Sequence, residues 1–373
     1  MFWVFLIYEI FVLALSTFLA WHFPIVHGWK LALGGLFFIS FNGLFFFLHL
    51  PKKQSILTTT LTVFFSFLLA LVSYLTIFFI AHDFLLMIPS YGDFYFSYPL
   101  HATIGFLLIC IIIACYGIWN TKQIIIKKYH LKNTKNVSIR LAFLSDLHIA
   151  PHHINPKKMS SILEQLKQEK PDFVLLGGDI IEMRPDFFTE NALQDLFKNF
   201  TSSIPTIAVV GNHEYYGGSI SENVKALEDS GIIVLKDAIR FIHDKNIAFI
   251  GRDDKTNPHR LPLSRLIKNI PQSVYKIVLD HDPSSLFETI KTSADLQLSG
   301  HTHNGQLFPF NLLVKYIFLN AYGYRRIHNL DSIVSSGAGI WGPHLRIGTH
   351  NEIVIIDIQP NIFNDEHHFH PKI

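Results

Sequence analysis

Four long apolar stretches in the first third of the chain constrain its fold more than any other feature. They run from Phe2 to Phe23, Trp29 to Leu50, Ile56 to Ile80 and Leu100 to Trp119, each near the ~20 residues a helix needs to cross a bilayer. Composition agrees, because 49% hydrophobic residues, 16% charged residues and 34 Phe are too apolar for an ordinary soluble protein. The first stretch lacks a basic leader, carries Glu9 and is followed by another span, so it reads as a retained helix rather than a signal peptide. Glu9 marks either a path for ions or an acid near a helix end; with no other interior charge in the spans, a transporter is disfavoured. Lys52 and Lys53 lie between the second and third stretches, and Lys122, Lys127, Lys128 and Lys132 follow the fourth. The loop at 81–99 has Asp83 and Asp93 but no Lys or Arg. Basic loops stay in the cytoplasm, so the expectation is a multi-pass protein of the inner membrane with everything after residue 119 on the cytoplasmic side.

At 373 residues the chain exceeds what one core usually serves. The division expected is a transmembrane region at 1–119, a basic linker at 120–137, an α/β domain at 138–360 and a disordered tail at 361–373. The tail holds His367, His368 and His370, to which no function is given. A formal charge of +2 offers no basic face for nucleic acid. Cys110 and Cys115 both sit in an apolar run, which excludes a disulfide framework and a thiolate metal site. From Ser138 onward short apolar runs alternate with amphipathic segments. Strands are expected at 139–144, 173–176 and 206–210, and later at 247–250, 277–279, 296–298, 332–335 and 353–358. Asn155 and Pro156 open a helix whose apolar face is Met159, Ile162, Leu163 and Leu166.

The loops after these strands carry one coherent set of donors: Asp146-x-His148, Gly178-Asp179, Gly211-Asn212-His213-Glu214, His281 and Gly300-His301-Thr302-His303. In α/β sheets, sites gather at the carboxyl ends of strands, so loops distant in sequence can converge. Carboxylate, amide and imidazole donors suit two divalent ions such as Mn, Fe or Zn, and the lack of thiolate argues against a closed structural zinc. At His281 the neighbouring Asp280 and Asp282 compete for the role, and the strand just before favours the histidine.

This order of motifs resembles the calcineurin-like metallophosphoesterase superfamily over roughly residues 137–358, and most closely its transmembrane bacterial branch. The likeness to that branch rests on Gly211-Asn212-His213-Glu214-Tyr215-Tyr216, Leu298-Ser299-Gly300-His301-Thr302-His303, and Val334-Ser335-Ser336-Gly337 leading to Trp341-Gly342-Pro343. It implies an αββα sandwich for the α/β domain that follows the expected four-helix membrane region. It also implies that Asp146, His148 and His303 bind one metal, that Asn212, His281 and His301 bind the other, and that Asp179 bridges them. Two such ions can share a hydroxide and stabilise both oxygens of an in-line displacement at phosphorus. His213, one residue past Asn212, is placed to protonate the leaving oxygen, a role the resemblance implies too. Asn304 departs from the glycine usual in that branch.

The function expected is hydrolysis of a phosphoester or pyrophosphate bond, with a catalytically silent metal-binding scaffold or sensor as the alternative. Intact ligand types and His213 argue against the scaffold. Partners are a phosphorylated substrate and membrane lipids, and the anchor points to a lipid-linked substrate. Phe308, Phe310, Leu312, Leu313, Tyr316, Ile317 and Phe318 read either as a lipid-facing flap or as core. Arg184 and Arg346 are lesser candidates for phosphate contact, and His152 and His153 read as loop residues.

Overall fold

The computed structural model describes residues 2–22, 30–39, 42, 56–90, 99–151 and 153–361. From Ile124 onward the chain builds two six-stranded sheets. The first is ordered β1 (Ile124–Asn133), β12 (Asn351–Pro360), β2 (Ile139–Leu144), β3 (Phe173–Gly177), β4 (Thr206–Val209) and β5 (Ile233–Val234). The second is ordered β10 (Gly323–Ile327), β11 (Leu330–Val334), β9 (Leu296–Ser299), β8 (Tyr275–Leu279), β7 (Ile247–Gly251) and β6 (Ala238–Ile242). Both are mixed: β2, β3, β4 and β5 run parallel, as do β7, β8, β9 and β11, while β12 is antiparallel to β2.

The nearly continuous apolar strands follow from burial on both faces. Successive residues alternate between two cores: Leu141, Phe143, Leu175, Ile207 and Val209 meet Phe249, Ile277 and Leu298 between the sheets. Their neighbours Ala142, Leu144, Leu176 and Ala208 face outward onto helices. One of these is Pro156–Glu169, capped by Asn155, whose side chain accepts from the Lys158 amide, and burying Met159, Ile162, Leu163 and Leu166. A smaller core with Ala248, Ile250, Val278, Leu263 and Leu286 covers the other face of the second sheet.

The segment expected as a basic linker contains β1, which pairs in parallel with β12 from Ile124↔Asn351 to Asn133↔Pro360. Its lysines are what an edge strand needs, since charge on an exposed edge blocks further pairing; a lysine-rich composition and a partner more than two hundred residues away hide it in the sequence.

Of the four expected spans, two helices among the described residues are long and apolar enough to cross a membrane, Thr59–Leu85 and Leu100–Asn120. The first stretch is a helix at Phe2–His22. The second is described only as the shorter apolar helix Lys30–Ile39 and at Asn42. Among the described residues, two helices thus have spanning length where four spans were expected, and the other two stretches are described in part as apolar helix. Lys52, Lys53, Asp93, His152 and the tail from 362 lie outside the described residues, as does the side chain of Glu9. The two long helices pack against the α/β domain. Leu345 and Ile347 are buried in the same cluster as Val72, Leu75, Cys110 and Ala114. Gly117 carries no side chain where a Cβ would lie 2.8 Å from Ile347 Cγ1 and 3.2 Å from Leu345 Cδ2. The Asn120 amide donates to the carbonyls of Arg346 and Thr349 at 2.9 and 2.8 Å.

Candidate metal centre

Five strands deliver the candidate ligands from their carboxyl ends. Asp146 and His148 follow β2, Asp179 follows β3, Asn212 follows β4, His281 follows β8, and His301 and His303 follow β9. Each loop must turn sharply to aim its donor back over the strand ends. Asp146, His148, Asp179, His301 and His303 all adopt φ between 45° and 68°, the left-handed region that costs a non-glycine residue energy and is held at sites by the surrounding structure. Asn304 has φ 50°, which asparagine tolerates better than most residues; that explains how it replaces a glycine. Gly300 is required by close approach, because a Cβ there would collide with Ser145 Oγ and the Asp146 carboxylate.

The structure brings six of the candidates into two trios with ligand atoms within 4.8 Å of one another, Asp146–His148–His303 and Asp179–His281–His301, while a third group, His148–Asp179–His213, joins them. Asn212 belongs to the same cluster through its Oδ1, 3.0 Å from His301 Nδ1. All are buried or nearly so.

The donors fit divalent cations. His148 Nδ1 donates to Glu182 Oε2 at 2.7 Å, which leaves the Nε2 lone pair free to ligate. That Nε2 lies 3.1 Å from His303 Nε2, and His303 Nε2 is 3.4 Å from Asp146 Oδ1. His281 Nδ1 donates to the Gly177 carbonyl at 2.8 Å. Its buried Nε2 has no hydrogen bond although it stands 3.1 Å from Asp179 Oδ2. Nitrogen lone pairs and carboxylate oxygens crowded together away from water are an arrangement that a cation stabilises.

Electrostatics sort the histidines. Burial opposes a charge on His148 and His281, but Glu182 and Asp179 at the first and Asp179 at the second leave both raised. Burial together with neighbouring positive charge lowers His301, and lowers His303 well below the usual imidazole value. Neutral imidazole is the ligating form. Asp179, despite burial, is held far below the carboxylate range by His281, His148 and His213.

Two glutamates of the site escaped the sequence reading. Glu182 ties His148 Nδ1 at 2.7 Å to His213 Nδ1 at 2.9 Å, and these two histidines hold it far below the usual range against its burial. The signal available was the habit of ligating histidines to donate their second nitrogen to a carboxylate. Glu214, quoted only as part of a motif, accepts the amides of Asp179, Ile180, Ile181 and Gly211 at 2.6–3.0 Å, locking two ligand loops together. Burial and the Asp179 charge push it up to about 7, against the pull of those amides.

His213 sits over the cluster with its ring 4.6 Å from that of His148 and edge-on to Trp341 at 6.4 Å. The other candidates fall elsewhere. Arg346 is fully buried and donates to the carbonyls of Ser336, Gly339 and His350, with one nitrogen 3.3 Å from His303 Nδ1; it props the site from beneath rather than facing a phosphate. Arg184 is an exposed partner of Asp186, and His153 lies 3.3 Å from the Gly342 carbonyl, outside the ligand groups. Asp280 is engaged by Arg260 and Arg252 and Asp282 caps the following turn, which leaves His281 as the donor from that loop.

Residues 139–305 match the family described as calcineurin-like phosphoesterase. Among curated proteins, an uncharacterized metallophosphoesterase of Campylobacter jejuni is 29% identical over 225 residues, covering 59% of each chain. The Escherichia coli phosphodiesterase YaeI is 29% identical over 59% of this chain and 82% of that one. A Bos taurus protein named as a transmembrane protein with metallophosphoesterase domain is 26% identical over 60% of this chain and 53% of that one. The match thus spans about three fifths of the Campylobacter protein's length. By motif order, two-sheet frame and converging donors, residues 139–305 of this chain are a calcineurin-like phosphoesterase domain.

Proposed function

We propose that this protein is a membrane-anchored, dinuclear-metal phosphoesterase that hydrolyses a phosphoester or pyrophosphate bond of a lipid-linked substrate. The observation that carries the reading is the pair of buried donor trios sharing one cluster through Asp179 and His148. In this reading Asp146, His148 and His303 hold one ion, Asn212, His281 and His301 hold the other, and Asp179 serves both. Two divalent ions supply Lewis acidity toward a phosphoryl oxygen and lower the pKa of water.

The chain's own groups do the rest. Glu182 fixes the orientation of His148 and His213 together, so a ligand and a proton donor keep one spacing. His213, with Nδ1 engaged by Glu182, turns Nε2 toward the leaving oxygen as general acid. Membrane attachment is supported by the two long apolar helices and by the relative with a transmembrane name. The lysines after residue 120 favour a cytoplasmic site, and a site seated on membrane helices favours a substrate that resides in the bilayer.

The test uses the full chain in detergent with Mn and a chromogenic phosphodiester or monoester. His213→Ala is expected to keep its metal while kcat falls ~10²–10⁴-fold, the usual worth of a general acid. Metal loss in that variant would remove the role given to His213. Metal-loaded wild-type protein that turns over neither ester nor a pyrophosphate would sink the enzymatic reading.

A further inference from the structure

The helix Phe310–Ile317 buries none of its eight residues, although Phe310, Leu312, Leu313, Tyr316 and Ile317 are each more than half exposed, Tyr316 at 90%. A water-facing helix of this composition is a contiguous apolar patch that soluble surfaces avoid. Two contacts fix where it lies. Just before it, the Phe308 carbonyl accepts a hydrogen bond from Tyr74 Oη at 2.6 Å, and Leu307 packs into the cluster of the membrane helices. Just after it, the Phe318 ring stands edge-on to His301 of the metal cluster, 6.5 Å between centroids.

Tyr74 sets the depth. At 1.5 Å per residue the Thr59–Leu85 helix is ~40 Å long, and wherever a hydrocarbon layer of ~30 Å is laid along it, Tyr74 falls inside the layer. The same helices expose Phe64, Ile77, Leu108 and Ile112, and the Phe310–Ile317 helix is joined to them by the Tyr74–Phe308 hydrogen bond and the packing of Leu307. Its one charged residue, Lys315, has a stem long enough to reach the headgroups.

We propose that residues 307–318 form a lip embedded in the acyl layer of the membrane, along which the hydrocarbon tail of an amphipathic substrate lies while its phosphate reaches the cluster beside His301. The occupant of the apolar face is therefore bilayer lipid. Delivery of a substrate rests on the phosphoesterase reading; the embedding does not.

Two measurements on the full chain in phosphatidylcholine–phosphatidylglycerol nanodiscs separate these claims. In a Cys110→Ala/Cys115→Ala background, a nitroxide at Tyr316→Cys is expected to relax faster with oxygen than with an aqueous nickel chelate. The reverse is expected at Lys225→Cys on the solvent helix Ile220–Asp229. A Tyr316→Cys label that behaves like the Lys225→Cys control overturns the lip. The variant Leu312→Asp/Leu313→Asp, changed only at exposed positions, is expected to lower the ratio of turnover on a long-chain alkyl phosphodiester in the nanodisc to turnover on a soluble chromogenic diester by about tenfold or more. An unchanged ratio overturns delivery along the lip. An embedded label in a protein that turns over neither diester refutes the phosphoesterase reading and leaves the embedding standing.

Discussion

The two donor trios are built from the same side-chain types yet rest on different supports. The trio of Asp179, His281 and His301 is held by the sheet frame itself. His281 is tied to the Gly177 carbonyl at the end of β3, His301 to Asn212, and the Asp179 loop to Glu214. The trio of Asp146, His148 and His303 is held by side chains and by the long apolar helices. Glu182 orients His148, and Arg346 lies under His303 with its backbone amide bonded to the Gly117 carbonyl of the Pro99–Asn120 helix. The first trio is tied to loops at the strand ends, whereas the second shares its foundation with the two long apolar helices.

The sharpest way to break this division is at Asp179, the residue proposed above to serve both trios. Asp179 stands 3.1 Å from His281 Nε2 and 3.8 Å from His148 Nε2. Asp179→Asn removes the charge between them and is expected to reduce metal content, read by mass spectrometry, to background in both trios. Retention of a full complement of metal would show that Asp179 is not shared. Glu182→Gln is expected to be milder, because it keeps a hydrogen-bonding group but loses the charge that orients two imidazoles. Supporting carboxylates of this kind are worth ~10–100-fold in affinity or activity. The loss should fall on kcat and on the metal of the Asp146 trio. Equal depletion of the Asp179 trio would erase the distinction between the supports.

The same division separates what the sequence could show from what it could not. Donors written into short motifs after strands, such as Asp146-x-His148 and His301-Thr302-His303, were legible because spacing and strand position converge on one edge. The supports were not. Glu182 looks like any loop acid until His148 and His213 are seen on either side of it. Arg346 resembles a phosphate ligand until its burial is known. β1 reads as a linker because its partner β12 lies at the other end of the domain. The apolar run 308–318 could not be assigned to core or surface, since exposure is decided by what packs against it.

Gly117→Val tests the support from the Pro99–Asn120 helix directly. A side chain there would push on Leu345 and Ile347, where a Cβ alone already falls 2.8 Å from Ile347 Cγ1, and overpacking of this kind costs ~1–3 kcal/mol. The segment displaced carries Arg346, so metal content is expected to fall toward half as the Asp146 trio loosens and the Asp179 trio holds. A uniform loss, or none, would show that the helix contact is only an anchor.

The smallest effect is expected at Asn120, the last residue of the Pro99–Asn120 helix. Its amide donates to the carbonyls of Arg346 and Thr349, and its Oδ1 lies 3.0 Å from His350 Nδ1. Asn120→Ala leaves those buried carbonyls without their donor, a cost of ~1–3 kcal/mol, while Arg346 keeps its guanidinium contacts with Ser336 and Gly339. Thermal unfolding in detergent should therefore shift down with little change in metal content, because the backbone beneath the site is loosened but the guanidinium under His303 is not. If Asn120→Ala instead removed metal as strongly as Gly117→Val, the connection to the long apolar helices would run through this hydrogen-bonded end of the helix rather than through the packing of Leu345 and Ile347.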